Sequence, residues 1–109
     1  MHISGYRAMW VLAFFDLPVK TAKQRRIYTD FRKFLLRDGF RMMQYSVYNR
    51  HCPSEENAAV HIKRIESNLP AQGDVRILAV TDRQFERMRT FWGGNSTPTE
   101  KPRGQLVLF

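Results

Sequence analysis

Apolar residues fall in short runs along this chain, and the period of each run changes with position. Residues 10–15, WVLAFF, are apolar without alternation, and Asp16, Leu17 and Pro18 close the run. A short uninterrupted apolar stretch halted by proline predicts a strand over 9–16 that is covered on both faces. The period then lengthens. Ile27, Phe31, Phe34 and Leu35 recur at i, i+4, i+7 and i+8, one stripe of an amphipathic helix. Thr21, with Gln24 three positions on, supplies a capping box at its start, and Gly39 a left-handed stop at its end.

FRMMQYSVYNRHC, 40–52, is rich in aromatic and β-branched residues and long for one strand. It reads as two short strands meeting near Gln44 to Ser46, with a turn whose type is unsettled because it holds no glycine. Pro53 and Ser54 open a second helix. Glu55 and Glu56 sit in its first turn, where the helix dipole favours them, and Asn68 and Pro70 end it. Its buried stripe is expected to be Ala58, Ile62, Ile65 and Leu69. Val75 to Thr81 is a further apolar strand, and DRQFERMR a short helix with Phe85 and Met88 turned inward. GGNSTPTEKPRG, 93–104, has the composition of a linker, yet it leads into the apolar QLVLF, 105–109, which needs a sheet edge to join.

The order β-α-β-β-α-β predicts an α+β fold of the ferredoxin-like, split βαβ kind: an antiparallel sheet with two helices on one face, followed by an extra C-terminal strand. The corresponding division is an extension at 1–8, one domain at 9–92, a linker at 93–104 and the terminal strand at 105–109.

Charge changes this picture. The 109 residues, enough for one domain, carry 18 Lys and Arg against 10 Asp and Glu, a net charge of +8. Between residues 20 and 41 eight basic side chains face two acids. On the helical wheel Arg26, Lys33 and Arg37 lie on one flank of the apolar stripe and Arg25 and Arg32 on the other, with Lys23 in the first turn. Such a face is either a solvated surface or a footprint for a polyanion, and the concentration of charge in one element favours nucleic acid. No apolar run approaches the roughly 18 residues of a membrane span, and residues 1–8 lack the apolar core of a secretory signal. Cys52 is the single cysteine, so no disulfide framework or CxxC metal pair is available, and a cytoplasmic setting is expected.

Motifs for other chemistries are thin. The strand around Val47–His51 lacks the glycines and paired aromatics of an RNA-recognition motif. His2, His51 and His61 have no ligand spacing. His61, beside Lys63 and Arg64, reads as a surface residue, and Cys52 as a small buried apolar one. No Ser-His-Asp order or phosphate-cradling glycine loop occurs. There remains Asp16, a lone acid at the mouth of an apolar strand in a basic protein. It either caps the turn into the helix, pairs with an arginine, or performs chemistry.

FFDLP closing the first strand, FRKFLLRDGF in the basic helix and QYSVYNRHC together resemble the CRISPR-associated Cas two family, in its type II form. NAAVHIKRIESNLP and GDVRILAVTDRQFERM are similar to that family's second helix and fourth strand, so the resemblance runs from about Met9 to Met88. It leaves Met1 to Ala8 as an extension without a counterpart. The resemblance implies a homodimer in which Leu106, Val107, Leu108 and Phe109 lie on the partner's sheet. It implies the CRISPR integrase, Cas one, as a second partner, with which the dimer bridges and measures double-stranded spacer DNA. It also implies divalent-metal-dependent cleavage of RNA or DNA at the strand-end aspartate, which matches Asp16. A two-fold axis near that strand end would bring two copies of Asp16 to one Mg²⁺. Three functions are therefore expected in order: a scaffold for spacer acquisition that needs the basic helix; a Mg²⁺-dependent endonuclease that needs Asp16; and a ferredoxin-like RNA-binding or regulatory module that needs neither metal nor integrase.

Overall fold

The computed structural model describes residues 7–93. Seven elements follow in order: β1 (Met9–Asp16), α1 (Ala22–Arg37), β2 (Arg41–Gln44), β3 (Val47–Cys52), α2 (Glu55–Glu66), β4 (Asp74–Thr81) and α3 (Asp82–Glu86). The strands form one antiparallel sheet in the order β2-β3-β1-β4, which is the expected ferredoxin-like arrangement. The extra strand expected at 105–109 and most of the expected linker lie outside the described residues, as do residues 1–6 of the extension. No helix among the described residues is long and apolar enough to cross a membrane.

β1 is central because its apolar run has two faces to bury. Val11, Ala13 and Phe15 point to the helices and join Phe31 and Leu35 of α1, Ala58 and Ile65 of α2, and Tyr48 and Cys52 of β3 in one core. Leu12, on the opposite face of the sheet, is also buried, and Trp10 on that face stacks on Phe85 of α3 at 4.0 Å and 9°. Trp10 Nε1 donates to Asp82 Oδ1 at 2.7 Å, which fixes the short helix against the strand.

The helix starts form as their sequences dictate. Thr21 accepts from Gln24 N, while the Gln24 side chain accepts from Thr21 N; Ser54 accepts from Asn57 N. α1 stops at Gly39, whose φ of 91° is left-handed. A Cβ there would also meet Arg50 Nε at 3.0 Å, so glycine serves both the turn and the close approach of β3.

Three side chains depart from the sequence reading. Met88 and Leu69 are exposed, because α3 and α2 end before reaching them. His61 is not on the surface: it is 4% exposed, among the most secluded side chains of α2. Ala58, His61 and Ile65 stand at i, i+3 and i+7, so the helical period carries His61 into the core stripe whatever the charge of its neighbours.

Candidate nucleic-acid interface and carboxylate site

Asp16 ends β1 in an exposed position, on the sheet face opposite α1 and α2. Register sets Asp74, the first residue of β4, directly across from it. Gly73 makes this possible. Its φ is 90°, and a Cβ at that position would lie 2.6 Å from the Asp16 carbonyl oxygen and 2.7 Å from Leu17 Cδ2. Only a residue without a side chain lets the start of β4 approach the end of β1 so closely. The two acids share the wall of a 210 Å³ cavity with Phe14, Tyr45, Ser46, Val47 and Arg76. Among the described residues no ion pair or side-chain hydrogen bond holds Asp16, so neither a turn cap nor an arginine partner accounts for it. Like charges directly opposed on antiparallel strands destabilise a sheet. Asp74 is invisible as a partner in the sequence, 58 positions away from Asp16; the glycine before it, at the start of an apolar strand, is the available hint.

The other wall of the cavity is built by the β2–β3 turn. Its two central residues are Tyr45 and Ser46, and Ser46 takes φ 64°, a conformation that costs a non-glycine residue about 1–3 kcal/mol. Two contacts hold it there. The Ser46 carbonyl accepts from Phe15 N at 3.0 Å, and Ser46 Oγ lies 2.9 Å from the Tyr28 hydroxyl, one donating to the other. Burial pushes the Tyr28 hydroxyl up to about 12, the Ser46 contact opposing the shift and the neighbouring Tyr45 adding to it, so Tyr28 stays protonated at neutral pH. Tyr45 stacks on Tyr28, centroids 5.9 Å apart, yet remains 61% exposed.

The basic residues of α1 lie on the other side of the molecule. Lys23, Arg26, Lys33 and Arg37 are exposed, and none forms an ion pair among the described residues. Arg32 is half-buried. Arg25 is turned back on the preceding loop, where Nη1 donates to the carbonyls of Val19 at 3.2 Å and Lys20 at 3.0 Å. The structure thus groups four of the six candidate cations as free charges and gives Arg25 a local partner.

The sequence profile described as CRISPR associated protein Cas2 matches residues 9–88. The chain belongs to the Cas2 family. It is 56% identical over 93% of its length to the CRISPR-associated endoribonuclease Cas2 of Parvibaculum lavamentivorans, all of which is covered. It is 50% identical over 98% of its length to the protein of the same name from Flavobacterium psychrophilum, of which 93% is covered. A third relative so named, from Streptococcus mutans, is 37% identical over 92% of this chain and 92% of its own.

Within this Cas2 chain a second acid has a different part. Asp38, the C-cap of α1, accepts from Arg64 Nη1 at 2.8 Å and contacts His61 Nδ1 at 2.7 Å, while its backbone carbonyl accepts from Arg50 Nε at 2.8 Å. Burial raises its carboxyl, but the hydrogen bonds and charges of His61 and Arg64 outweigh that and leave it below the ordinary 3.8. This cluster locks α1, α2 and β3 together. His51 reaches Asp82 at 3.9 Å on the open sheet face, a loose contact between two half-exposed groups. Cys52 is fully buried and its thiol is pushed up by that burial, as befits a packing residue. Among the described residues no three His, Cys, Asp or Glu side chains converge as a metal cage.

Proposed function

We infer that this chain acts in CRISPR adaptation as a homodimeric scaffold that binds double-stranded spacer DNA and bridges integrase subunits, with the exposed face of α1 as its DNA-binding surface. The observation that carries the reading is the set Lys23, Arg26, Lys33 and Arg37: exposed cations on one helix, without ion-pair partners among the described residues, in a chain of net charge +8. Charges neutralised by neighbours would release few counterions on binding; unpaired ones release many and bind phosphate without reading sequence. Substituting Arg26, Lys33 and Arg37 with Gln should weaken binding of unrelated duplexes alike. It should also flatten the plot of log K against log salt by about 0.9 for each phosphate that a side chain no longer neutralises. Identical slopes for the variant and the natural chain overturn the assignment of DNA binding to α1. The residues expected to make the dimer, Leu106 to Phe109, lie outside the described residues.

A second reading, divalent-metal-dependent cleavage of a phosphodiester, is favoured by the geometry at Asp16 and fits the endoribonuclease names of the relatives. Mg²⁺ takes one or two carboxylates and otherwise water or phosphate oxygens. The opposed Asp16 and Asp74 meet that requirement within one chain, and a cation between them would remove the repulsion they otherwise bear. When bound, the ion activates a water and draws charge from a phosphoryl oxygen. The chain's own part is to hold the two acids at a fixed spacing through the Gly73 approach and to offer Arg76, exposed on the same face two residues beyond Asp74, to a phosphate oxygen. Asp16→Asn should abolish metal-dependent cleavage while leaving duplex binding intact. Cleavage that persists in the purified variant at the natural rate removes Asp16 from the reaction.

A further inference from the structure

The structure assigns Tyr28 of α1 a positioning role at the carboxylate site: through Ser46 it braces the backbone of Phe15, and so fixes the strand end that sets Asp16 opposite Asp74. The inference rests on the reading of Asp16 as a metal-dependent cleavage site and adds the residue that holds its geometry.

Asp16 lies on the sheet face opposite α1 and α2, so Tyr28 reaches it through the main chain. The ladder between β1 and β3 pairs Phe14 with Val47. One further bond, from Phe15 N to the Ser46 carbonyl at 3.0 Å, carries the hold on β1 to the residue before Asp16. The Tyr28 hydroxyl stands 2.9 Å from Oγ of that same serine. The Tyr28 ring also packs against Phe15, centroids 5.6 Å apart, and stacks on Tyr45 at 5.9 Å. One side chain of α1 thus grips the turn and the strand end on both sides of the bond that joins them.

The residue type at the turn points the same way. Ser46 holds φ 64°, which glycine adopts without strain. Glycine, however, has no hydroxyl for Tyr28 to meet. Serine keeps that contact and bears the strain. What the contact secures is the placement of a carboxylate. A cation binds tightly where its ligands are already held, and a group that orients a ligand is worth about 10–100-fold in metal affinity.

The test compares the natural full chain with Tyr28→Phe, which keeps the ring, and Ser46→Gly, which suits φ 64° but lacks the hydroxyl. Two quantities are read. The first is affinity for Mn²⁺, which accepts the oxygen ligands that suit Mg²⁺ and whose free fraction is counted by electron paramagnetic resonance. Asp16→Asn marks the affinity that remains without the site. The second is amide hydrogen exchange along β1, β3 and β4. Both variants should bind Mn²⁺ about tenfold more weakly, the low end for loss of a group that orients a ligand. The double variant should lose no more than either single one, because both remove the same contact. Exchange at Phe15 should quicken about tenfold, as for the loss of one hydrogen bond, while the rest of the sheet keeps its rates. Natural Mn²⁺ affinity in either variant overturns the proposal. So does exchange that quickens over all three strands together, since Tyr28 would then stabilise the fold without placing the acid. Failure of the cleavage reading shows itself separately: a natural chain that takes up no Mn²⁺ removes the metal from Asp16, and exchange at Phe15 then decides whether Tyr28 holds the strand end.

Discussion

Asp16 and Asp38 are both acids at the end of a regular element in a strongly basic chain, and the structure treats them in opposite ways. Asp38 terminates α1 in a secluded position and is satisfied on every side, by His61, by Arg64 and, through its carbonyl, by Arg50. Asp16 terminates β1 in the open, holds no partner among the described residues, and faces a second acid. The first arrangement lowers the energy of the fold. The second does not: it sets two like charges across neighbouring strands, a pairing that destabilises a sheet. Folding alone gives a reason to keep Asp38 and none to keep the pair at Asp16, which is the physical ground for reading the latter as a binding or catalytic feature.

The largest effect expected from this contrast is on stability at Asp38. Asp38→Ala removes the shared partner of two cations and leaves the His61 ring buried without its hydrogen bond. Breaking a buried pair from one side costs about 3–5 kcal/mol. Because the Arg64 side chain is 56% exposed and regains water, the low end, about 3 kcal/mol, is expected. Urea unfolding should show a lower midpoint at an unchanged slope. A midpoint within experimental error of the natural chain would mean that the cluster does not hold the helices to the sheet.

A smaller effect, of defined sign, is expected from acid. The folded carboxyl of Asp38 lies below its ordinary 3.8, chiefly through a balance in which burial is outweighed by His61 and Arg64. Below that value the unfolded chain takes up a proton that the folded chain resists, so stability contributed by Asp38 is present above pH 3.8 and drains away as pH falls toward and through the folded value. In Asp38→Ala that component of the acid limb should be missing. Unfolding free energies of both chains, measured from pH 5 downward, should therefore converge. Parallel curves would contradict the lowered carboxyl.

The same two acids show what the sequence can and cannot disclose. The strand ending at Asp16, the capping box at Thr21 and the Gly39 stop are readable because each depends on residues within a few positions. The basic helix is readable for the same reason, although the turning back of Arg25 onto Val19 and Lys20 is not. His61 is misjudged when its charged neighbours are weighed above its i+3 spacing from Ala58, and its partner Asp38 lies on another helix. Asp74 escapes notice as a member of the Asp16 site because strand register, which no local pattern states, brings it there. Short-range physics thus locates the acid; long-range pairing supplies its surroundings.

The smallest expected effect is also the one that separates the two acids most sharply. At Asp16 the substitution to Asn removes one of two opposed charges without changing shape. Cross-strand pairs of this kind contribute about 0.2–1 kcal/mol, and like charges carry the unfavourable sign. Asp16→Asn should therefore unfold at a slightly higher urea concentration than the natural chain, by a few tenths of a kcal/mol, when no divalent cation is present. Addition of Mg²⁺ should reverse the order: an ion held by both acids stabilises the natural fold by RT ln(1 + [L]/Kd), and the variant, with a charged ligand gone, gains less. Asp74→Asn should behave in the same way, because the repulsion and the cation belong to the pair. If instead either substitution destabilises the metal-free chain, the acid has a structural partner and the contrast with Asp38 collapses. If both are stabilising but Mg²⁺ shifts neither the natural chain nor the variants, the repulsion is real and the cation is not its reason.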